Sequence, residues 1–354
     1  MTSLWDPIQI GRMNLAHRLA MSPLTRSRAQ DDGTPGELAA EYYAQRASLG
    51  LLISEGTQPS ADGQGFLNSP GIYSEAHVAG WRKVADAVHA AGGHLYIQVM
   101  HAGRMSHPAN TPHGRQAVAP SAIAPEAQIH TPTGMQQVPA PRALSPDEIQ
   151  ATVRDYRHAA ARHRGRRRRR GDTRRQRLPD PAVPLCQRQP SRRCLWRARR
   201  APHALRAGGR GRRSRGNRRR PHRHPAFARL APGGGIDEGP HYGDMYRHLV
   251  AGLAQLKLSY LHIAHNGDEA LLKDLRQLWR GPLLVNRVNR PIELIGQDVE
   301  TGLADIAPVG RWALANPDFV ARLRAGQPLN PPDQATFYGG GARGYTDYPR
   351  LAMR

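Results

Sequence analysis

The chain has 354 residues, with 51 Lys and Arg against 28 Asp and Glu, a net charge of +23 and two cysteines. That length admits one large domain or two, and β/α barrels reach it as a single domain. No run approaches the roughly 18 apolar residues of a membrane span, residues 1–7 lack the charged start and apolar core of a secretion signal, and two cysteines make no disulfide framework. The expectation is a cytoplasmic protein without disulfides.

In chain order, apolar runs at 19–24, 51–55, 95–100, 260–264, 283–285 and 305–309 read as short buried strands. Helical spacing appears between them at 37–48, 77–91, 145–161, 242–256, 268–279 and 317–325. Ser145 with Glu148 makes a capping box, and Asn316 before Pro317 predicts a cap followed by the first helical residue. Strands alternating with helices imply a parallel sheet covered on both faces. With two further strands expected inside the interval 163–228, the fold class is α/β, an eight-stranded TIM-type β/α barrel.

That interval is chemically foreign to the rest. Residues 163–229 hold 25 of the chain's arginines, no lysine and only two acids, Asp172 and Asp180, so this window carries the entire net charge. Both cysteines, Cys186 and Cys194, fall in it as well. A basic arm that binds phosphates is one reading, although such arms usually mix Lys with Arg and interleave aromatics, and here only Trp196 and Phe227 occur. Arg with Pro, Ala and Gly but without Lys is also what G/C-rich codons yield when translated out of frame. The second reading expects 163–228 to be disordered and to disrupt barrel strands four and five.

Functional side chains of a β/α barrel sit at strand C-terminal ends. Those ends here carry Ser22-Pro23-Leu24-Thr25, Glu55-Gly56-Thr57, Gln98-Val99-Met100-His101, Arg229, Asn286-Arg287 and Gly310-Arg311. The set is rich in amide and hydroxyl groups and ends in arginines, which suits a ligand with a heteroaromatic ring and a phosphate tail. No phosphate-loop motif is present, and Gly339-Gly340-Gly341 lacks the strand-then-helix setting of a dinucleotide fingerprint. Met100, His101 and His107 do not have metal-ligand spacing, and no metal is expected.

Three segments carry a more specific signal: MSPLTRSRA at 21–29, the GR…NPD core within 305–323, and FYGGGARGYTDYP at 337–349. Together with the flanking sequence over 4–110 and 233–351, they resemble the Old Yellow Enzyme family, close to its N-ethylmaleimide reductase branch. The resemblance implies FMN across the barrel mouth, NADPH or NADH as hydride donor, and an activated alkene as acceptor: an α,β-unsaturated carbonyl, a maleimide or a nitro compound. It implies a single FMN-binding domain over 1–354, a monomer or homodimer, and a small-molecule substrate with no membrane partner. By the same resemblance Pro23, Leu24, Thr25, Gly56, Gln98, Arg229, Gly310 and Arg311 would bind the cofactor. Thr25 and Tyr338 would be catalytic, and Phe66, Met100 and Tyr338 would line the substrate side, where ordinary packing is an equal alternative for all three.

The arginine window can be read against the same family. Residues 171–179, Gly-Asp-Thr-Arg-Arg-Gln-Arg-Leu-Pro, admit codons that spell EIHGANGY one base later, which resembles the family's fourth strand end. The family's His, Asn and Tyr, which bind the substrate carbonyl and donate a proton, would fall where this chain has Thr173, Gln176 and Leu178. Two other departures are Met100, where the family often has Trp, and Asn286-Arg287-Val288-Asn289-Arg290 in place of a glycine-bearing loop. Val288 argues against a left-handed turn there. The reading is thus an FMN-dependent alkene reductase, impaired as written. The alternative is a nucleic-acid-binding protein that uses the arginine block.

Overall fold

The structure is a computed structural model that describes residues 2–163, 240–256, 258–265 and 267–351. The arginine block lies outside the described residues, together with both cysteines, Thr173, Gln176, Leu178, Arg229 and the two strands expected there.

The chain opens with an antiparallel hairpin, β1 (Ile8–Ile10) and β2 (Met13–Leu15), which the sequence pattern did not announce. Then follow β3 (Leu19–Met21), α1 (Glu37–Gln45), β4 (Leu51–Thr57), α2 (Glu75–Ala90) and β5 (His94–Val99). An excursion of short pieces comes next: β6 (Val118–Ala119), the hairpin β7 (Gln128–Thr131) and β8 (Gly134–Gln137), and β9 (Arg142–Ala143). The chain continues through α3 (Pro146–His163), α4 (Tyr242–Ala254), β10 (Leu261–His265), α5 (Glu269–Leu278), β11 (Leu283–Arg287), α6 (Gln297–Glu300), β12 (Ala307–Val309), α7 (Arg311–Ala315) and α8 (Phe319–Arg324).

All six strands expected in the readable sequence form, and all run parallel. β12, β3, β4 and β5 make one sheet in that order, while β10 pairs with β11. A parallel bridge from Leu284 to Ile306 joins β11 to the approach of β12. The six strands therefore form one continuous arc, β10-β11-β12-β3-β4-β5, with register Val309 to Met21, Ala20 to Leu51 and Leu51 to His94. Its two ends approach each other: the rings of Tyr96 on β5 and Tyr260 before β10 lie 5.5 Å apart, edge to face. Ala20, Leu51, Ile53, Tyr96, Leu284 and Ile306 fill the concave interior, and Ile10, Met13 and Leu15 of the first hairpin close its floor.

On the convex side, Tyr42, Tyr43, Trp81, Val84, Val88, Phe319 and Val320 pack helices against Leu19, Met21, Leu52, Leu95 and Val309. The capping box at α3 forms as expected: Glu148 N donates to Ser145 Oγ at 3.3 Å and Ser145 N to Glu148 Oε2 at 2.8 Å. Hydrogen bonds from the Arg142 side chain and the Ser145 amide hold the Glu148 carboxyl down to about 2.

Two boundaries differ from expectation. β3 ends at Met21 rather than at 24, because Pro23 has no N–H to give a ladder. Asn316 does not cap the last helix, which spans only Phe319–Arg324. The buried Asn316 amide instead donates to Trp312 O at 2.9 Å and Asn330 O at 3.2 Å, and its Oδ1 accepts from Asn330 N at 2.7 Å. That arrangement pins the C-terminal segment to α7.

Candidate active site

Because the strands are parallel, their C-terminal ends share one rim. Ser22 N donates to Val309 O at 2.9 Å, so the turn holding Pro23, Leu24 and Thr25 leaves β3 beside Gly310. A Cβ built on Gly310 would lie 3.8 Å from Leu24 Cδ2. Gly56 on β4 pairs with Gln98 on β5, after a register shift between Ile53 and Gly56. A Cβ on Gly56 would collide with Met100 Cε and lie 2.9 Å from its Sδ. Glycine at 56 thus admits the Met100 side chain over the strand. Pro23, Leu24, Thr25, Gln98, Met100 and Gly310 are half-buried, Gly56 is buried and Arg311 is exposed.

Around this rim stand the other residues read from sequence. The loop bearing the half-buried Phe66 docks on the segment after Met100, where Ala102 N donates to Gly63 O at 2.9 Å. Phe66 itself packs with Met105, Ala127, Ile129 and Val138. Tyr338 is 68% exposed, with its ring edge-on to Phe337 at 6.4 Å. Its neighbour Gly339 donates from N to Arg26 O at 3.0 Å, which places the Tyr338 loop one residue from Thr25. Arg229 lies outside the described residues.

Glu55, read from sequence only as part of a strand end, is what holds the rim. Glu55 is 4% exposed, and its Oε2 accepts from the amides of Arg26 at 2.9 Å and Ser27 at 3.1 Å. Ser27 takes a φ of 54°, an uncommon left-handed conformation for a residue with a side chain. Burial pushes the Glu55 carboxyl up to about 7, against the pull of those amides and of Arg26 and Arg28. An acid within the otherwise buried run LLISEGT was the available signal.

The loop after β11 departs from the expected reading. Arg287 is committed to ion pairs, donating from Nε and Nη2 to Asp298 at 2.6 and 2.9 Å and also pairing with Glu269. Arg290 reaches the same Asp298 at 3.0 Å. A left-handed residue does occur in this loop, but at Asn289, with a φ of 59°, where a short amide side chain tolerates it better than Val288 would.

Two histidines also lie inside. Burial lowers both His101 and His262 to about 4. A folded-state value below the unfolded 6.5 means that the unfolded chain binds more protons between pH 4 and 6.5, so this stabilisation is present above 6.5 and is lost as pH falls toward 4. Glu55, raised to about 7, acts oppositely between 4.5 and 7. Burial lowers His17 and His94 as well, so the histidines outnumber the one carboxyl. The unfolding free energy in urea is therefore expected to fall as pH drops from 6.5 to 4.5, by up to about 1.4 kcal/mol per pH unit for each net proton. His262→Gln should flatten that slope. An unfolding free energy that rises on acidification would refute the assignment.

Among the described residues, no group of three or more His, Cys, Asp or Glu could hold a metal ion, and no helix is long and apolar enough to cross a membrane. A profile of the NADH:flavin oxidoreductase / NADH oxidase family matches residues 3–165. A probable flavin mononucleotide-dependent alkene reductase from Leishmania infantum is 33% identical, with 97% of this chain and 96% of that protein covered. The chain belongs to the Old Yellow Enzyme family. A chanoclavine-I aldehyde reductase from Penicillium roqueforti is 44% identical, but over 45% of this chain and 42% of its own. Among solved structures, morphinone reductase in complex with tetrahydroNAD aligns with a TM-score of 0.79 at 31% identity, covering 99% of this chain and 98% of that one. The six-strand arc is accordingly the described part of an Old Yellow Enzyme-type TIM barrel, and the chain is an FMN-dependent oxidoreductase of the alkene reductase class. The rim fits that cofactor: the half-buried Thr25 hydroxyl and Gln98 amide make no side-chain hydrogen bond among the described residues, and the exposed Arg311 makes no ion pair among them.

Proposed function

We propose that this chain reduces α,β-unsaturated carbonyls, maleimides and nitro-substituted alkenes at the expense of NADPH or NADH. We further propose that its substrate-carbonyl site is lost because 163–228 is written out of frame. The observation that carries the first reading is the pair of polar side chains, Thr25 and Gln98, that make no side-chain hydrogen bond among the described residues and flank Gly56 at adjacent strand ends. When bound, FMN supplies acceptance of a hydride from a nicotinamide and its delivery to the β-carbon of an activated alkene.

The chain's own residues then have distinct tasks. The Thr25 hydroxyl donates to the pyrimidine edge, and the Gln98 amide, which offers a donor and an acceptor together, reads the same edge. Pro23, Leu24 and Gly56 give the ring an apolar seat. Gly310 and Arg311 hold the phosphate by a backbone N–H and a charge-assisted fork. Arg229, which lies outside the described residues, would supply the positive charge that stabilises the reduced cofactor. Phe66, Met100 and Tyr338 bound the substrate side, with Met100 leaving a softer wall than an indole would. We place the protein in the cytoplasm as a monomer or homodimer.

The out-of-frame reading is supported by the family match, which ends at 165, where the arginine run begins, and by the higher identity of a relative aligned over only 45% of the chain. The nucleic-acid alternative rests wholly on residues outside the described ones, and none of the relatives named above points to it.

Titrating the purified chain with FMN tests the cofactor assignment. Quenched and red-shifted flavin is the expected outcome, with Gln98→Ala weakening binding about tenfold through the loss of one well-placed hydrogen-bonding group. A chain that leaves added FMN unperturbed, in both its given and its frame-restored form, would overturn the reading.

A further inference from the structure

We propose that Arg26 is a positioning residue that joins the two sides of the site: its main chain fixes the turn carrying Thr25, and its guanidinium fixes the loop carrying Tyr338. The inference rests on the placing of Thr25 against cofactor and Tyr338 against substrate given above.

Arg26 is fully buried, yet among the described residues no carboxylate pairs with its guanidinium fork. Two of its three nitrogens are committed to backbone carbonyls of one loop: Nε donates to Phe337 O at 3.0 Å, and Nη2 donates to Thr336 O at 3.3 Å and Gly344 O at 2.8 Å, while the buried Nη1 has no hydrogen-bond partner among the described residues. The same residue's main chain is held from the other side. Its amide donates to Glu55 Oε2 at 2.9 Å, and its carbonyl accepts from Gly339 N at 3.0 Å. One residue therefore touches both neighbours of Tyr338 through Phe337 O and Gly339 N, while being bonded directly to Thr25.

Physical chemistry explains why an arginine is used. The loop after residue 336 is irregular, with Gly339, Gly340 and Gly344 all at positive φ, so its inward carbonyls find no ladder partners. A planar fork can satisfy several at fixed angles, which a lysine ammonium cannot do. The fork is further confined by aromatic faces, with Arg26 Cζ 5.1 Å from the ring centroids of both Tyr42 and Tyr345, which are stacked at 4.2 Å. Arg46 and Arg28 cover the outer faces of that stack, at 4.0 Å from Tyr42 and 4.6 Å from Tyr345. Glu55 closes the assembly, because its amide donates to Tyr43 Oη at 2.9 Å while its carboxylate holds the Arg26 turn.

Amide exchange in the full chain, read by mass spectrometry on segments 22–29, 336–345 and, as a reference, α2, tests the coupling. Two variants attack it from opposite ends. Arg26→Lys keeps the charge but removes the fork. Gly344→Ala leaves Arg26 intact and disturbs the loop, because a Cβ there would strike Thr336 and the backbone is left-handed, with a φ of 64°. Each variant is expected to speed exchange at least about tenfold in both 22–29 and 336–345 while α2 stays unchanged, and Arg26→Lys should raise the Kd for FMN about tenfold. Loosening of one segment without the other, an equal rise in α2, or an unchanged Kd with both segments loosened would overturn the proposal. Should Arg26→Lys not fold, Gly344→Ala decides the coupling alone. If the wild type takes up no FMN, it is the cofactor reading of this chain that fails, and the exchange comparison still decides whether the two segments are joined.

Discussion

Restoring the second reading frame across 163–228 is expected to raise turnover of a maleimide or cyclic enone on the order of 10²- to 10³-fold for each carbonyl donor regained. Hydride delivery needs the alkene held over the cofactor with its carbonyl oxygen fixed, and such fixing is worth several kcal/mol. As written, Thr173 and Gln176 stand where the shifted frame reads His and Asn, and Leu178 where it reads Tyr. A Leu cannot give a proton, and neither a Thr hydroxyl nor a Gln amide is the His and Asn pair that the shifted frame reads. Steady-state turnover of the two forms at equal bound FMN makes the comparison. Equal rates would show that the carbonyl is bound elsewhere.

The second large effect concerns stability. Asp298 is 7% exposed and accepts a bidentate fork from Arg287 and a further bond from Arg290. Asp298→Ala would leave two guanidinium groups at this strand end, with Glu269 as the one carboxylate that pairs with Arg287 among the described residues, beside His265 Nδ1 at 2.8 Å. The loss is expected to be about 3–5 kcal/mol, the usual cost of removing one partner from a buried ion pair, measured as a drop in unfolding free energy in urea. Because the pair is shielded, the effect should persist in high salt, in contrast to the exposed Arg142–Glu148 pair. A loss below about 1 kcal/mol would mean that Glu269 alone suffices.

What could be read from the sequence follows from which interactions are local. Strand and helix positions depend on spacing along the chain, and all six expected strands formed, as did the Ser145–Glu148 box. The strand-end motif around Thr25, Gly56, Gln98 and Gly310 was likewise visible, because parallel strands bring their C-terminal ends to one rim wherever the fold is a β/α barrel. The arginine window stood apart by its composition alone, since charge needs no coordinates.

Tertiary structure decided what depends on partners distant in sequence. Nothing near residue 26 announces that its side chain will bind carbonyls at 336, 337 and 344, more than three hundred positions away. Asn316 matched a cap by local pattern, yet its amide had a better use tying α7 to Asn330. Arg287 looked available to an anion and is instead neutralised by Asp298 and Glu269. A buried polar group must find its partner wherever the fold supplies one, and that choice is made in space. The sequence by itself determined the six parallel strands, their order and which residues stand at their C-terminal ends. Only the folded chain decided which charged side chains are free to meet a ligand and which are already satisfied.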